Sequence, residues 1–106
     1  MPWKLEYYLD SKGNNPVETF IESLPLDERS SLRARIDFLG EIGNRSREPL
    51  SKSLGGGLFE LRAKAGRIFY CFKPGGVIVL LHGFKKKSQK TPRREMELAR
   101  KRMEEV

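Results

Sequence analysis

Residues 58–92, L-F-E-L-R-A-K-A-G-R-I-F-Y-C-F-K-P-G-G-V-I-V-L-L-H-G-F-K-K-K-S-Q-K-T-P, decide the fold. Three apolar segments, about 58–64, 67–72 and 77–82, carry the β-branched and aromatic residues that favour strands. Ala65-Gly66 separates the first two, and Lys73-Pro74-Gly75-Gly76 is a strong turn signal before the third. The reading is a three-stranded antiparallel meander. With tight hairpins, Lys64 pairs with Arg67, Arg62 with Phe69 and Glu60 with Cys71. In the second hairpin Arg67 pairs with His82, Phe69 with Leu80 and Cys71 with Ile78. The side-chain period of two then puts Phe59, Leu61, Ala63, Ile68, Tyr70, Phe72, Val77, Val79 and Leu81 on one face, which helices must cover. The other face collects Glu60, Arg62, Lys64, Arg67 and His82 around Phe69, Cys71, Ile78 and Leu80. A turn is expected at His82-Gly83, then a basic loop that closes on Thr91-Pro92, a helix start.

Upstream, residues 3–9 alternate Trp3, Leu5, Tyr7 and Leu9 against Lys4, Glu6 and Tyr8, which predicts a half-buried strand. Asn15-Pro16-Val17-Glu18 supplies an N-cap, a proline at the first helical position and an acid in the first turn. Val17, Phe20, Ile21 and Leu24 follow at helical spacing until Pro25 ends the helix. A second helix is expected from Asp27, with the stripe Leu32, Ile36, Leu39, Ile42 and a stop at Gly43. Residues 44–57 show no periodicity and read as a loop. Downstream, Met96, Ala99, Met103 and Val106 line one face of a terminal helix, best read as a packing stripe that is also able to dock a partner. One strand, two helices, a meander and a final helix make a single small α+β domain over residues 1–106.

The charge is uneven. Residues 1–81 carry 12 Lys/Arg against 10 Asp/Glu, whereas residues 82–102 carry 9 against 2. The formal excess of +7 therefore sits in one segment at the end of a buried strand. Such a concentration reads as a footprint for a polyanion. Like charges crowded across a sheet are destabilising, so Arg62, Lys64 and Arg67 beside Lys85, Lys86, Lys87 and Lys90 point to a bound phosphate.

Other chemistries are excluded. The chain has 1 cysteine and 1 histidine, too few for an internal disulfide, a Cys/His zinc cluster or a two-histidine ribonuclease mechanism. A Cys71–His82 nucleophile pair would be separated by roughly 13 Å along the strands, too far for proton transfer. The acids are dispersed without metal-ligand spacing, so metal-free chemistry and no cofactor are expected. No segment approaches the ~20 apolar residues of a membrane span, and M-P-W-K-L-E-Y-Y is no signal-peptide core. A cytoplasmic protein that does not contact membranes is expected.

Taken together, L-F-E-L-R at 58–62, G-R-I-F-Y at 66–70 and V-L-L-H-G-F-K-K-K-S-Q-K-T-P-R-R-E at 79–95 resemble the RelE/ParE toxin superfamily, specifically its phage-derived HigB-like branch. The resemblance spans nearly the whole chain and implies a RelE-like fold: a small, mainly antiparallel twisted sheet with two N-terminal helices on one face and a C-terminal helix. It implies a type II toxin that cuts mRNA in the ribosomal A site and is neutralised by a cognate helix-turn-helix antitoxin. Arg67 corresponds to the family's transition-state arginine, Arg62 to a second arginine, and Lys85 or Lys86 to the basic residue after the last strand. Glu60 stands where RelE-like enzymes place a catalytic lysine, no tyrosine matches their C-terminal one, and Glu48-Pro49-Leu50 echoes a catalytic glutamate segment of another branch. Glu60, Glu48 and His82 thus compete as general acid or base, with Lys64, Lys85, Lys87, Lys90, Arg93 and Arg94 as RNA contacts. A non-catalytic ParE-like toxin, or a prophage remnant that binds nucleic acid or an antitoxin, is the alternative.

Overall fold

A computed structural model describes residues 2–106. Its elements in chain order are β1 (Lys4–Tyr7), α1 (Pro16–Glu22), α2 (Leu26–Ile42), a 3-10 turn (Gly43–Arg45), β2 (Ser51–Gly55), β3 (Leu58–Ala63), β4 (Gly66–Lys73), β5 (Val77–Lys85) and α3 (Arg93–Glu105). The strands form one sheet in the order β1-β5-β4-β3-β2. β1 runs parallel to β5, and every other pairing is antiparallel.

The sequence predicts this α+β order apart from β2, where it predicts a loop. β2 lies at the sheet edge against β3, and its S-K-S-L-G composition offers no alternating apolar pattern. Backbone pairing defines it, so periodicity could not find it.

α1 begins as expected: the Asn15 side chain accepts from the Glu18 N–H at 3.0 Å. α2 starts one residue before Asp27, which lies in its first turn instead of capping it. At Gly43, with φ of +53°, a Cβ would fall inside the Trp3 ring, so only glycine lets the helix end against β1. Val17, Ile21, Leu24, Leu32, Ile36 and Leu39 cover one face of the sheet, packing on Leu61, Ala63, Ile68, Tyr70, Ile78 and Leu80. Trp3, Leu5 and Tyr7 extend this core, whereas Leu9 is exposed.

The second face is also a core. Leu58, Phe69, Cys71, Val79, Leu81 and Phe84 pack under Ala99 of α3, with Met96 and Met103 alongside. The expected faces of the last strand are therefore exchanged: Ile78 and Leu80 point toward α1 and α2, and Val77, Val79 and Leu81 toward α3. Two one-residue effects explain this. The turn after β4 spans the three residues Pro74–Gly76, one more than the tight hairpin assumed, so Lys73 pairs with Val77. A register shift then falls between Phe69 and Tyr70, whose partners are His82 and Leu80. The bulge returns His82 to the Phe69 side, where the sequence reading had it.

The first hairpin is also displaced. Arg62 pairs with Arg67 and Glu60 with Phe69, so the turn is Lys64-Ala65, with Lys64 in the left-handed region at φ of +55°. Faces survive because the displacement is even. β5 does not turn at His82-Gly83 but continues to Lys85. Gly83 permits this, because a Cβ there would meet Phe20 Cδ2 at 2.5 Å and Ile68 Cδ1 at 2.9 Å.

Candidate functional site

Three neighbouring strand positions set the chemistry. Arg62 and Arg67 face each other across β3 and β4, and Glu60 lies two residues from Arg62 on the same face. Glu60 is fully buried, with 0% exposure. Its Oε1 accepts from Arg62 Nε at 3.0 Å and lies 3.9 Å from Arg67 Nε; its Oε2 accepts from Thr91 Oγ1 at 3.3 Å. The buried carboxylate thus opposes part of the positive charge that the sequence reading assigned wholly to a bound phosphate.

Arg67, near the start of β4, is not at an open strand end. Its side chain is 15% exposed. Nη1 donates to the carbonyls of Lys64 at 2.6 Å and Gly66 at 2.9 Å. Nε is buried without a hydrogen-bond partner, because 3.9 Å to Glu60 is an ion-pair distance and not a bond. Burial pushes the guanidinium below its ordinary range and Arg62 adds to this, while Glu60 opposes both. It remains charged near neutral pH. The backbone carbonyls fix its plane, and Nη2 makes no hydrogen bond among the described residues.

Beside it opens a cavity of about 460 Å³ lined by Arg67, Lys86, Lys87, Ser88 and Gln89. The basic loop forms the far wall and is tied at both ends. Lys86 N–H donates to the Ala65 carbonyl at 2.8 Å, and Thr91 reaches Glu60. The sequence predicts Thr91-Pro92 as the helix start, but Pro92 holds the cap position and no side chain caps α3. The hydroxyl serves the site instead. Sequence spacing gave no sign of this long-range bond.

The other expected site residues divide. Lys64 pairs with Asp27 at 3.5 Å and Lys85 with Glu28 at 3.1 Å, so α2 acids engage both lysines. Arg93 stands 4.0 Å from Glu97 on the exposed face of α3. Lys86, Lys87, Lys90 and Arg94 have no ion pair among the described residues. Lys90 is exposed on the loop, and Arg94 lines a second cavity.

His82 does not line the Arg67 cavity. Its Nε2 lies 2.7 Å from Glu95 Oε1, and Arg102 Nη1 lies 3.4 Å from its Nδ1 and 2.9 Å from the Leu81 carbonyl. Because arginine only donates, Nδ1 accepts and the neutral ring carries its proton on Nε2, toward Glu95. Burial holds the imidazole below its ordinary value, Glu95 opposes this and Arg102 reinforces it. Glu95 and Arg102 were not singled out from the sequence; a partner for the single histidine on the last helix was the available clue. Glu48 lies before β2 in a separate cavity with Asn44, Ser46, Arg47, Ser51, Lys52, Ser53 and Phe59. No hydrogen bond or ion pair joins it to Glu60, Arg62 or Arg67 among the described residues. The structure therefore brings Arg62, Arg67, Glu60, Lys86 and Lys87 together and leaves His82 and Glu48 apart. No group of three or more His, Cys, Asp or Glu residues that could hold a metal ion occurs among the described residues.

The same fold occurs in solved toxin structures. An arginine-substituted E. coli toxin RelE in the free state matches with a TM-score of 0.65 and 14% identity, over 97% of this chain and 99% of that one. A chain of the RelBE2 toxin–antitoxin complex from Mycobacterium tuberculosis matches with a TM-score of 0.59 and 16% identity, over 81% of this chain and 100% of that one. At such identities the likeness is one of fold. No curated protein matches the chain in sequence. The family model described as phage-derived protein Gp49-like matches residues 19–104, and the protein belongs to that family.

Proposed function

We propose that the protein is the toxin of a type II toxin–antitoxin pair, of the HigB-like branch, and that it cleaves ribosome-bound mRNA at the Arg67 cavity. The observation that carries this reading is the Arg67 guanidinium: largely buried, fixed by two carbonyls, and opening with Lys86 and Lys87 on one cavity. Preorganised cations in a partly desolvated site stabilise charge that develops on a phosphate far better than mobile surface lysines do. The RelE fold and the Gp49-like family support the toxin role, and the toxin–antitoxin complex among the similar structures supports a cognate antitoxin as partner.

In this reaction the ribose 2′-oxygen gives its proton to solvent water and attacks the adjacent phosphorus, and the 5′-oxygen leaves with a proton from Lys86. The products are a 2′,3′-cyclic phosphate and a 5′-hydroxyl. Arg67 and Lys86 stabilise the phosphorane, and Lys86 is the ammonium group placed to protonate the leaving oxygen. Glu60 acts as a strut between the arginines and the loop. Replacing the ribose at the cut site by 2′-deoxyribose tests the mechanism: cleavage at that position stops if the 2′-oxygen attacks, and persists if water does.

One observation favours the second reading, a non-catalytic toxin. Glu60 is buried and His82 half-buried, and both are hydrogen-bonded inside the chain, so neither offers a free proton acceptor to the cavity. Gyrase supercoiling in the presence of the purified protein separates the readings: inhibition without RNA cleavage supports the second.

A further inference from the structure

The basic loop separates two cavities. On one side is the Arg67 cavity; on the other is a space of about 500 Å³ whose lining includes Phe20, Gly83, Phe84, Lys87, Ser88 and Arg94. Lys87 and Ser88 belong to both walls. The chemistry of the second space differs from the first. Phe84 forms its floor, set edge-on to Phe69 with centroids 5.1 Å apart and stacked on His82 at 5.9 Å. Phe20 of α1 lies half-buried against the side-chain-free surface of Gly83. At the rim, Glu95 is bonded to His82 and Lys85 to Glu28. Lys87 and Arg94 are left as exposed cations without an internal partner among the described residues. An apolar aromatic surface edged by cations, one loop thickness from a phosphate site, matches what single-stranded nucleic acid presents: a base on a short tether beside its phosphate.

We propose that the Phe20 cavity is a nucleobase subsite, receiving the base next to the phosphate held at Arg67, with Lys87 and Arg94 flanking the strand. The assignment rests on the reading of the Arg67 cavity as a phosphate site. Contact with a ring face tolerates any base, so the subsite adds affinity for bases as a class without selecting a sequence.

The test compares binding of a short fluorescent single-stranded RNA with that of an abasic ribose-phosphate strand of equal length, at one low salt concentration. The proteins are the parent, Phe20→Leu, Arg94→Ala and Arg67→Ala. Leucine keeps an apolar group over Gly83 and removes the ring, and circular dichroism checks that the variant folds. The parent is expected to prefer the base-bearing strand by about tenfold, the scale of one stacked base. Phe20→Leu should lose most of that preference while holding the abasic strand unchanged. Arg94→Ala should weaken both strands slightly, and Arg67→Ala should weaken both strongly. Equal affinity of the parent for the two strands, or a preference that survives in folded Phe20→Leu, overturns the subsite and leaves the phosphate site standing. Failure of the parent to bind either strand overturns both.

Discussion

Glu60 is the residue on which the site turns. A carboxylate in mid-strand between two arginines reads from sequence as a candidate acid or base, because burial and bonding cannot be seen there. In the folded protein it is enclosed, with both oxygens engaged. Removing one member of a buried charge cluster leaves the others uncompensated, so Glu60→Ala should lower unfolding stability by on the order of 3 kcal/mol. A urea midpoint that hardly moves would show that the cluster is better solvated than its burial implies. Arg67→Lys should not rescue Arg67→Ala, since a lysine cannot hold both the Lys64 and Gly66 carbonyls and still direct a flat fork at the cavity. Single-turnover cleavage rates of the two variants, expected to lie within a few-fold of each other, check this. That Arg67 shares a face with Glu60 and Arg62 was legible from the strand period. Its fixed orientation was not, because the bonds that fix it go to backbone carbonyls and carry no sequence signature.

At the scale of elements, the helices and the meander followed from apolar stripes, turn residues and the Asn15 cap, all of them local signals. The register of β5 did not, because it depends on a three-residue turn and a bulge that each move the side chains by one face. At Gly83, β5 and Phe20 of α1 approach closely. Gly83→Ala should cost about 1–3 kcal/mol through displacement of Phe20, read as a lower urea midpoint with unchanged slope. α3 is fastened to β5 by the pair His82 and Glu95, with Arg102 beside it. The folded pKa of His82 lies below its ordinary value of 6.5, so the unfolded chain binds the proton more tightly. Its contribution to stability is therefore complete above the unfolded value and is lost as pH falls below it. Urea midpoints should drop between about pH 7.5 and about pH 5.5 in the parent and drop less in His82→Gln. An equal drop in both would assign the acid sensitivity to other groups.

For the whole molecule, the charge asymmetry visible in the sequence survives folding in altered form. Glu60, Asp27 and Glu28 engage Arg62, Lys64 and Lys85, so the cations left for a polyanion are chiefly Lys86, Lys87, Lys90 and Arg94 with the outer edge of Arg67. Net charge alone could not distinguish paired from unpaired lysines. If the latter contact phosphates, Lys87→Ala should reduce the slope of log affinity against log salt by about 0.7 for single-stranded RNA, whereas Lys64→Ala should change it little. The most direct test of the central claim is to map mRNA 5′ ends in a translating extract with and without the purified protein, beside Arg67→Ala and a ribosome-free reaction. New ends inside translated codons, absent from both controls, are the predicted result. An unchanged pattern from folded, antitoxin-free protein, or cutting by folded Arg67→Ala at the parent rate, would contradict it.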